Sequence, residues 1–404
     1  MREREFVLFM ALVSMSSALA IDMMLPAFGE MRATFDLAPD STQMSLTVTL
    51  FFFGTAVGYV LWGPLADALG RKRVLWLSLT LYAASALVAA FAQTLTVLFV
   101  ARFVWGIAAS GPRVLTQAIV RDKYLGTGMA RIMTLVQTAF MLGPILAPLI
   151  GRLLIEVGSW RWIMAFGTIN STAVLIWSRR LEETLPPEQR RGLEPRQLAA
   201  GFRAVLGNRV TLFYGLSVMF GFGAFYSFLA SGELIFSSVY DREELFVPFF
   251  VTVSILFAGV AFSMNRILQR SEARPVGIGA GSWYAINSII MLVVIAANDG
   301  LPNFWVWVVL FVITNAGMVA FFPIANSLAL EPMGKQAGMA TAALGFMAAT
   351  VGAVLGNQID RRIDDTVWAI GVGYALFASI ALVMQLIAAR AAAQSQSASS
   401  SALT

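Results

Sequence analysis

Gly63-Pro64-Leu65-Ala66-Asp67-Ala68-Leu69-Gly70-Arg71-Lys72-Arg73 is a short charged turn between two long apolar runs, about 43–66 and 74–93. Gly63 and Gly70 are expected to allow close packing and a tight turn. Asp67, at the edge of an apolar run, is positioned to pair with Arg71 or Arg73, or to face the N-terminus of a neighbouring helix. A cluster of this kind reads either as a basic loop that closes a helical hairpin or as a latch that holds two parts of a protein in one state and opens in another. The apolar runs on either side decide the fold class.

Of the 404 residues, 58% are hydrophobic and 13% charged, and the mean hydropathy is +0.75. A soluble domain is roughly 45–50% apolar and about a quarter charged. A soluble fold of this length could not hide so much apolar surface from water, whereas a bilayer accepts it as solvent. Cysteine and histidine are both absent. Their absence rules out disulfides, thiolate metal sites, Ser/His or Cys/His nucleophile pairs and imidazole proton relays. Any proton chemistry therefore falls to carboxylates. The formal net charge is +5, but the basic residues lie in short loops between apolar runs. They read as topology signals and not as a nucleic-acid surface.

A spanning helix needs roughly 20 mostly apolar residues. Twelve candidates meet that length, at about 6–28, 43–66, 74–93, 95–118, 130–154, 161–179, 210–235, 246–266, 275–298, 303–329, 336–358 and 366–389. The first is not expected to be a cleaved signal, because its flank mixes Arg2 and Arg4 with Glu3 and Glu5 and no small-residue cleavage site follows. With the N-terminus in the cytoplasm, 20 of the 28 Lys and Arg residues fall on the cytoplasmic side. Arg32, Arg152, Arg161, Arg242, Arg361 and Arg362 fall outside, and Arg102 and Arg113 inside a span. That bias predicts both termini inside. The longest charged connection, 180–209, carries Pro186, Pro187 and Pro195. It separates an N-terminal six-helix bundle (1–179) from a C-terminal one (210–390). The Ala/Ser/Gln-rich tail, 391–404, is expected to be disordered.

The eleven-residue turn resembles the G-x-L-A-D-x-x-G-R-K-x signature of the major facilitator superfamily. Gly143-Pro144-Ile145-Leu146-Ala147-Pro148-Leu149-Ile150-Gly151 resembles the Gly/Pro motif of that superfamily's drug/proton antiporters. Its prolines interrupt helical hydrogen bonds and its glycines permit close approach, which predicts a kinked, tightly packed span. Leu98–Gly106 resembles the l-x-x-x-R-x-x-q-G motif, with Trp105 where glutamine is usual. Ile21-Asp22-Met23-Met24-Leu25-Pro26-Ala27 is similar to the I-D-M-Y-L-P-A of the bicyclomycin/chloramphenicol-resistance branch. Further matches to that branch stand at Ser41–Met44, Arg121–Tyr124, Glu183–Glu188 and Ala337–Ala340. The resemblance covers about 15–350. It implies a twelve-span, all-α fold of two bundles with a substrate site between them, and a proton-driven exporter that needs no cofactor.

An ionisable residue inside a span is costly and is a functional candidate by default. Asp22 lies ~9 Å from the outer end of the first span and Arg102 ~10 Å from the outer start of the fourth, at 1.5 Å per residue. A pair between them is possible, either as a protonation switch or as a static ion pair. The resemblance implies that these positions couple proton entry to drug exit. Arg113 could face a cavity and take an anionic group, pair with a carboxylate, or snorkel. Glu233 reads as a second acidic site or as an interfacial residue near Asp241, Glu243 and Glu244. Gln43, Tyr59, Gln137, Tyr226, Asn287, Asn315 and Asn326 are polar cavity candidates, or helix–helix hydrogen bonds.

No G-x-x-x-x-G-K-[ST] motif occurs, which argues against an ATP-driven pump, and intramembrane carboxylates are too scattered for an enzyme site. With these excluded, the resemblance, through the Gly143–Gly151 motif above all, implies a multi-pass inner-membrane antiporter, expected to be a monomer because one chain holds both halves of a pathway. It exports small amphipathic drugs and works with lipid, substrate and protons as its partners. The alternative is a metabolite exporter or importer of the same fold that is not driven by proton antiport.

Overall fold

The structure is a computed structural model. It describes residues 1–124, 126–190 and 195–401, so Arg191 of the charged connection lies outside the described residues. Among the described residues every regular element is helical. We number the long helices in chain order: α1 Glu3–Asp22, α2 Ser45–Leu69, α3 Arg71–Ala90, α4 Leu95–Lys123, α5 Gly126–Val157, α6 Trp160–Trp177, α7 Arg209–Leu234, α8 Phe246–Leu268, α9 Ala273–Ala296, α10 Phe304–Leu330, α11 Ala337–Asp360 and α12 Trp368–Ser401.

Among the described residues, eleven candidate spans, which include all the long helices but α6, are long and apolar enough to cross a membrane. At 18 residues, α6 spans ~27 Å, and Arg161, Thr168 and Asn170 lower its mean hydropathy. The exposed surface of the helices is studded with Leu153, Ile169, Val293 and Val309. Water would not tolerate such faces in quantity, but hydrocarbon does.

The first apolar run is not one continuous helix. α1 stops at Asp22, a single 3₁₀ turn covers Leu25–Ala27, and a second short helix runs Phe28–Thr34. Pro26 explains the break, since it has no N–H to donate and disfavours a helical residue before it. The connection 180–209 holds a helix of its own, Pro195–Gly207. The tail expected to be disordered continues as helix through Ser401, in keeping with the high helix propensity of alanine and glutamine. Residues 402–404 lie outside the described residues.

The chain forms two compact units: Met1–Pro195 with Gly232–Ser254, and Arg196–Ser231 with Ile255–Thr404. In the first, α4 packs against α2, α3 and α1, and α5 lies along α1. Its core includes Phe6, Phe9, Trp62, Leu79, Leu115 and Ile119. In the second, α9 packs against α10 and α12, around a core that includes Tyr214, Met219, Phe321 and Leu344.

Candidate functional site

Small residues bring the helices of the first unit close together. A Cβ at Gly106 of α4 would collide with the Phe51 backbone of α2, and one at Gly54 with the Phe103 backbone. On α5, an added Cβ at Gly143 would strike Ala18, and one at Gly151 the Met23 carbonyl. Gly143, Ala147 and Gly151 are spaced four apart, so they form one stripe along α5. Pro144 and Pro148 lie inside the same helix. The Gly/Pro motif is thus the surface on which the Asp22 end of α1 rests.

Asp22 ends α1 and is 5% exposed. Among the described residues it has no hydrogen-bond or ion-pair partner. Arg102 is fully buried. Its Nη1 donates to the Ala20 carbonyl at 3.0 Å and its Nε to the Thr47 carbonyl at 3.4 Å. The guanidinium also lies over the rings of Phe51 and Trp105, 4.4 Å and 5.0 Å from their centroids. Arg102 thus bonds a carbonyl two residues before Asp22, which sets the two residues near one level of the packed helices. The ion pair itself is not formed, because backbone carbonyls and aromatic faces take up the guanidinium. Nη2 is buried without a hydrogen-bond partner among the described residues, and Arg102 lines a narrow cavity together with Tyr82, Trp105 and Asn170. α1 is tied to its neighbours here: Ser17 Oγ donates to the Ala109 carbonyl at 2.6 Å, Tyr82 Oη to the Ser16 carbonyl at 3.0 Å, and Asn170 Nδ2 to Ser16 Oγ at 2.9 Å.

At the Gly63–Arg73 turn, Gly70 takes φ +98°, a conformation that favours glycine. Gly63 has open space where a Cβ would stand, so the close packing expected of it is absent. Arg71 is buried. It donates to Asp67 at 2.6 Å and to Asp122 at 2.9 Å, while Arg73 is exposed. The Glu183 carboxylate accepts from the backbone N–H groups of Arg71 and Lys72, at 2.9 Å and 3.2 Å. It thereby caps the first turn of α3, where orphan donors and the helix dipole favour an anion. The sequence reading held Asp122 and Glu183 only as parts of resembling stretches, and their convergence on one arginine was not visible there.

Arg113 is half-buried, 3.5 Å from Tyr59 Oη and stacked over Phe140. Gln43 and Gln137 are exposed. Asn315 is fully buried; it donates to the Phe311 carbonyl and accepts from Tyr374 Oη. Through Tyr374 it ties α10 to α12. Tyr226 lies against Gly352. Glu233 is buried and pairs with Arg32 of the short helix Phe28–Thr34. One further buried carboxylate, Asp360 of α11, was missed in the sequence.

Long apolar helices, with a carboxylate and a guanidinium buried inside their own packing, define a multi-pass helical membrane protein. A family model described as Major Facilitator Superfamily matches residues 10–357, and the chain belongs to that superfamily. It is 26% identical over 378 residues to the bicyclomycin resistance protein homolog of Haemophilus influenzae, covering 89% of this chain and 90% of that one. It is 25% identical over 351 residues to multidrug resistance protein D of Escherichia coli, covering 85% of each. Among solved structures, the D-xylose–proton symporter superposes with a TM-score of 0.73 at 14% identity, covering 94% of this chain and 97% of that one. The human organic anion transporter MFSD10 gives 0.67 at 19%, covering 96% and 100%. At those identities the two structures speak to the fold alone.

Proposed function

We propose that the protein exports small amphipathic molecules in exchange for protons, by alternating access. It would use no cofactor and would act as a monomer in the inner membrane. α6 serves as a twelfth span, and both termini are cytoplasmic, as the distribution of basic residues favours. The bicyclomycin and multidrug resistance relatives, both near 25% identity, support the substrate class. The observation that carries the reading is Asp22, a buried carboxylate that ends α1 without a partner and two residues beyond the carbonyl held by Arg102. A guanidinium brought close to a buried carboxyl stabilises its ionised form, so a movement of Arg102 from the Ala20 carbonyl towards Asp22 would drive proton release. Arg102 and Asp22 then couple proton uptake to substrate release, with Arg113 and Tyr59 contributing to the substrate path. Asp67, Arg71 and Asp122 would act as the conformational latch.

The test is proton flux in proteoliposomes carrying a pH dye, with candidate drugs added after energisation. The expected result is drug-dependent collapse of the gradient by the parent and not by Asp22→Asn. Movement of labelled drug with no proton flux in either protein would exclude antiport.

A further inference from the structure

Two ladders of small residues face each other in the second unit. On α7, Gly223, Ser227 and Ser231 are spaced four apart; on α11, so are Gly352, Gly356 and Asp360. Such spacing puts each trio on one helix face, and small residues let two helix backbones approach closely. A Cβ at Gly356 would stand 3.0 Å from the Ser227 amide nitrogen, and one at Gly352 would collide with the Tyr226 ring. The two helices run in the same direction past this contact, and the last rung of α11 is a carboxylate.

Asp360 is 1% exposed, Ser227 0% and Ser231 2%. Both hydroxyls donate to the same oxygen, Asp360 Oδ1, at 2.7 Å from Ser227 and 2.9 Å from Ser231. The other oxygen, Oδ2, is buried with no hydrogen-bond partner. Arg361 and Arg362, the next residues in the chain, are exposed, and Arg362 turns back onto Gln358. α10 and α12 also pack against α11. α10 has no charged residue, and α12 has only Arg390, near its far end. The Tyr374 hydroxyl of α12 is spent on Asn315. On α7 the charged residues are Arg209, at the opposite end, and Glu233, which Arg32 engages.

We propose that Asp360 is a second proton-carrying carboxyl of the transporter, seated by Ser227 and Ser231; its place in the transport cycle rests on the proton-coupled reading above. Among the described residues an ionised Asp360 would have two neutral hydroxyls as its only hydrogen-bond partners in a buried site, the costliest state for a buried charge. A proton on Oδ2 removes that charge and leaves Oδ1 as the carbonyl oxygen, which already accepts two hydrogen bonds. When the proton leaves Oδ2 for water, the two serine hydroxyls remain as the donors that hold the anion. The site is separate from Asp22, which lies in the other unit and on another helix.

The test is infrared spectroscopy of the full chain in lipid, which reads protonated carboxyl groups directly and needs no transport. At neutral pH the parent should show a protonated-carboxyl C=O band with a component absent from Asp360→Asn and retained in Asp22→Asn. The Ser227→Ala/Ser231→Ala variant should keep that component and move it to higher wavenumber, because a carbonyl relieved of hydrogen bonds stretches faster. The double variant carries the test if Asp360→Asn fails to fold. A carboxyl band that is the same in the parent and Asp360→Asn, or unmoved in the double variant, overturns the proposal. Drug-driven proton flux measured on the same preparations separates the two readings. Flux without the Asp360 component removes the second site only, whereas the component without flux removes antiport and leaves the site.

Discussion

Arg32 and Glu233, 201 residues apart in sequence, meet in a buried ion pair in which one guanidinium nitrogen lies 2.8 Å and 2.9 Å from the two carboxylate oxygens. Both side chains are at most 5% exposed. The pair joins the short helix after α1 to the last turn of α7. Removing one partner of a buried pair leaves an unpaired charge and costs ~3–5 kcal/mol. Glu233→Gln should therefore unfold at clearly lower temperature in detergent. Arg32→Met/Glu233→Gln should recover part of the loss, since neither charge is then stranded. A loss in the double variant equal to the sum of the losses from Arg32→Met and Glu233→Gln alone would mean that the pair is not coupled.

The buried Arg71 serves Asp67 and Asp122 at once. A lysine ammonium cannot reproduce that planar two-sided grip. Arg71→Lys should lower thermal stability, and Arg73→Ala, at an exposed position, should leave it within ~0.5 kcal/mol of the parent. Loss of stability from Arg73→Ala but not from Arg71→Lys would reverse the assignment of the latch residue.

Glu183 caps two backbone N–H groups at the start of α3. Glu183→Ala should cost about 1 kcal/mol, the typical worth of a helix N-terminal cap, measured by chemical unfolding in mixed micelles. An unchanged midpoint would show that water replaces the carboxylate without loss.

The glycines divide by what surrounds them. An alanine methyl at Gly151 meets the Met23 carbonyl, and one at Gly106 meets the Phe51 backbone. Backbone cannot step aside as a side chain can, so both substitutions should destabilise by ~1–3 kcal/mol, as overpacking does. Gly63→Ala, with nothing nearby, should be neutral or stabilising by up to ~1 kcal/mol, because alanine favours helix over glycine. Monodispersity and melting temperature of the purified variants distinguish the three.

Much of the fold was legible because apolar runs of spanning length and basic loops are one-dimensional signals, set by the thickness and chemistry of the bilayer. Asp22 and Arg102 were legible for the same reason: each interrupts an apolar run, where a charge is costly. The break after Asp22 was missed although Pro26 stood in view. Asp360 was missed because it ends its run and is followed by Arg361 and Arg362, so that it reads as the start of a loop. Only its spacing from Gly352 and Gly356, mirrored by Gly223, Ser227 and Ser231, carried a signal.

Local sequence therefore determined which segments are apolar helices, where the tight turn at Gly70 falls, and which charged residues must lie within apolar surroundings. Tertiary structure alone decided the partners. It turned Arg102 to the Ala20 carbonyl and away from Asp22, drew Arg71 onto Asp122, and brought Arg32 to Glu233 and Asp360 to two serines on another helix. Hydropathy is a property of each residue and can be read along the chain. A hydrogen-bond partner depends on which helix faces approach to within 3 Å, and that is set by packing between segments up to 201 residues apart.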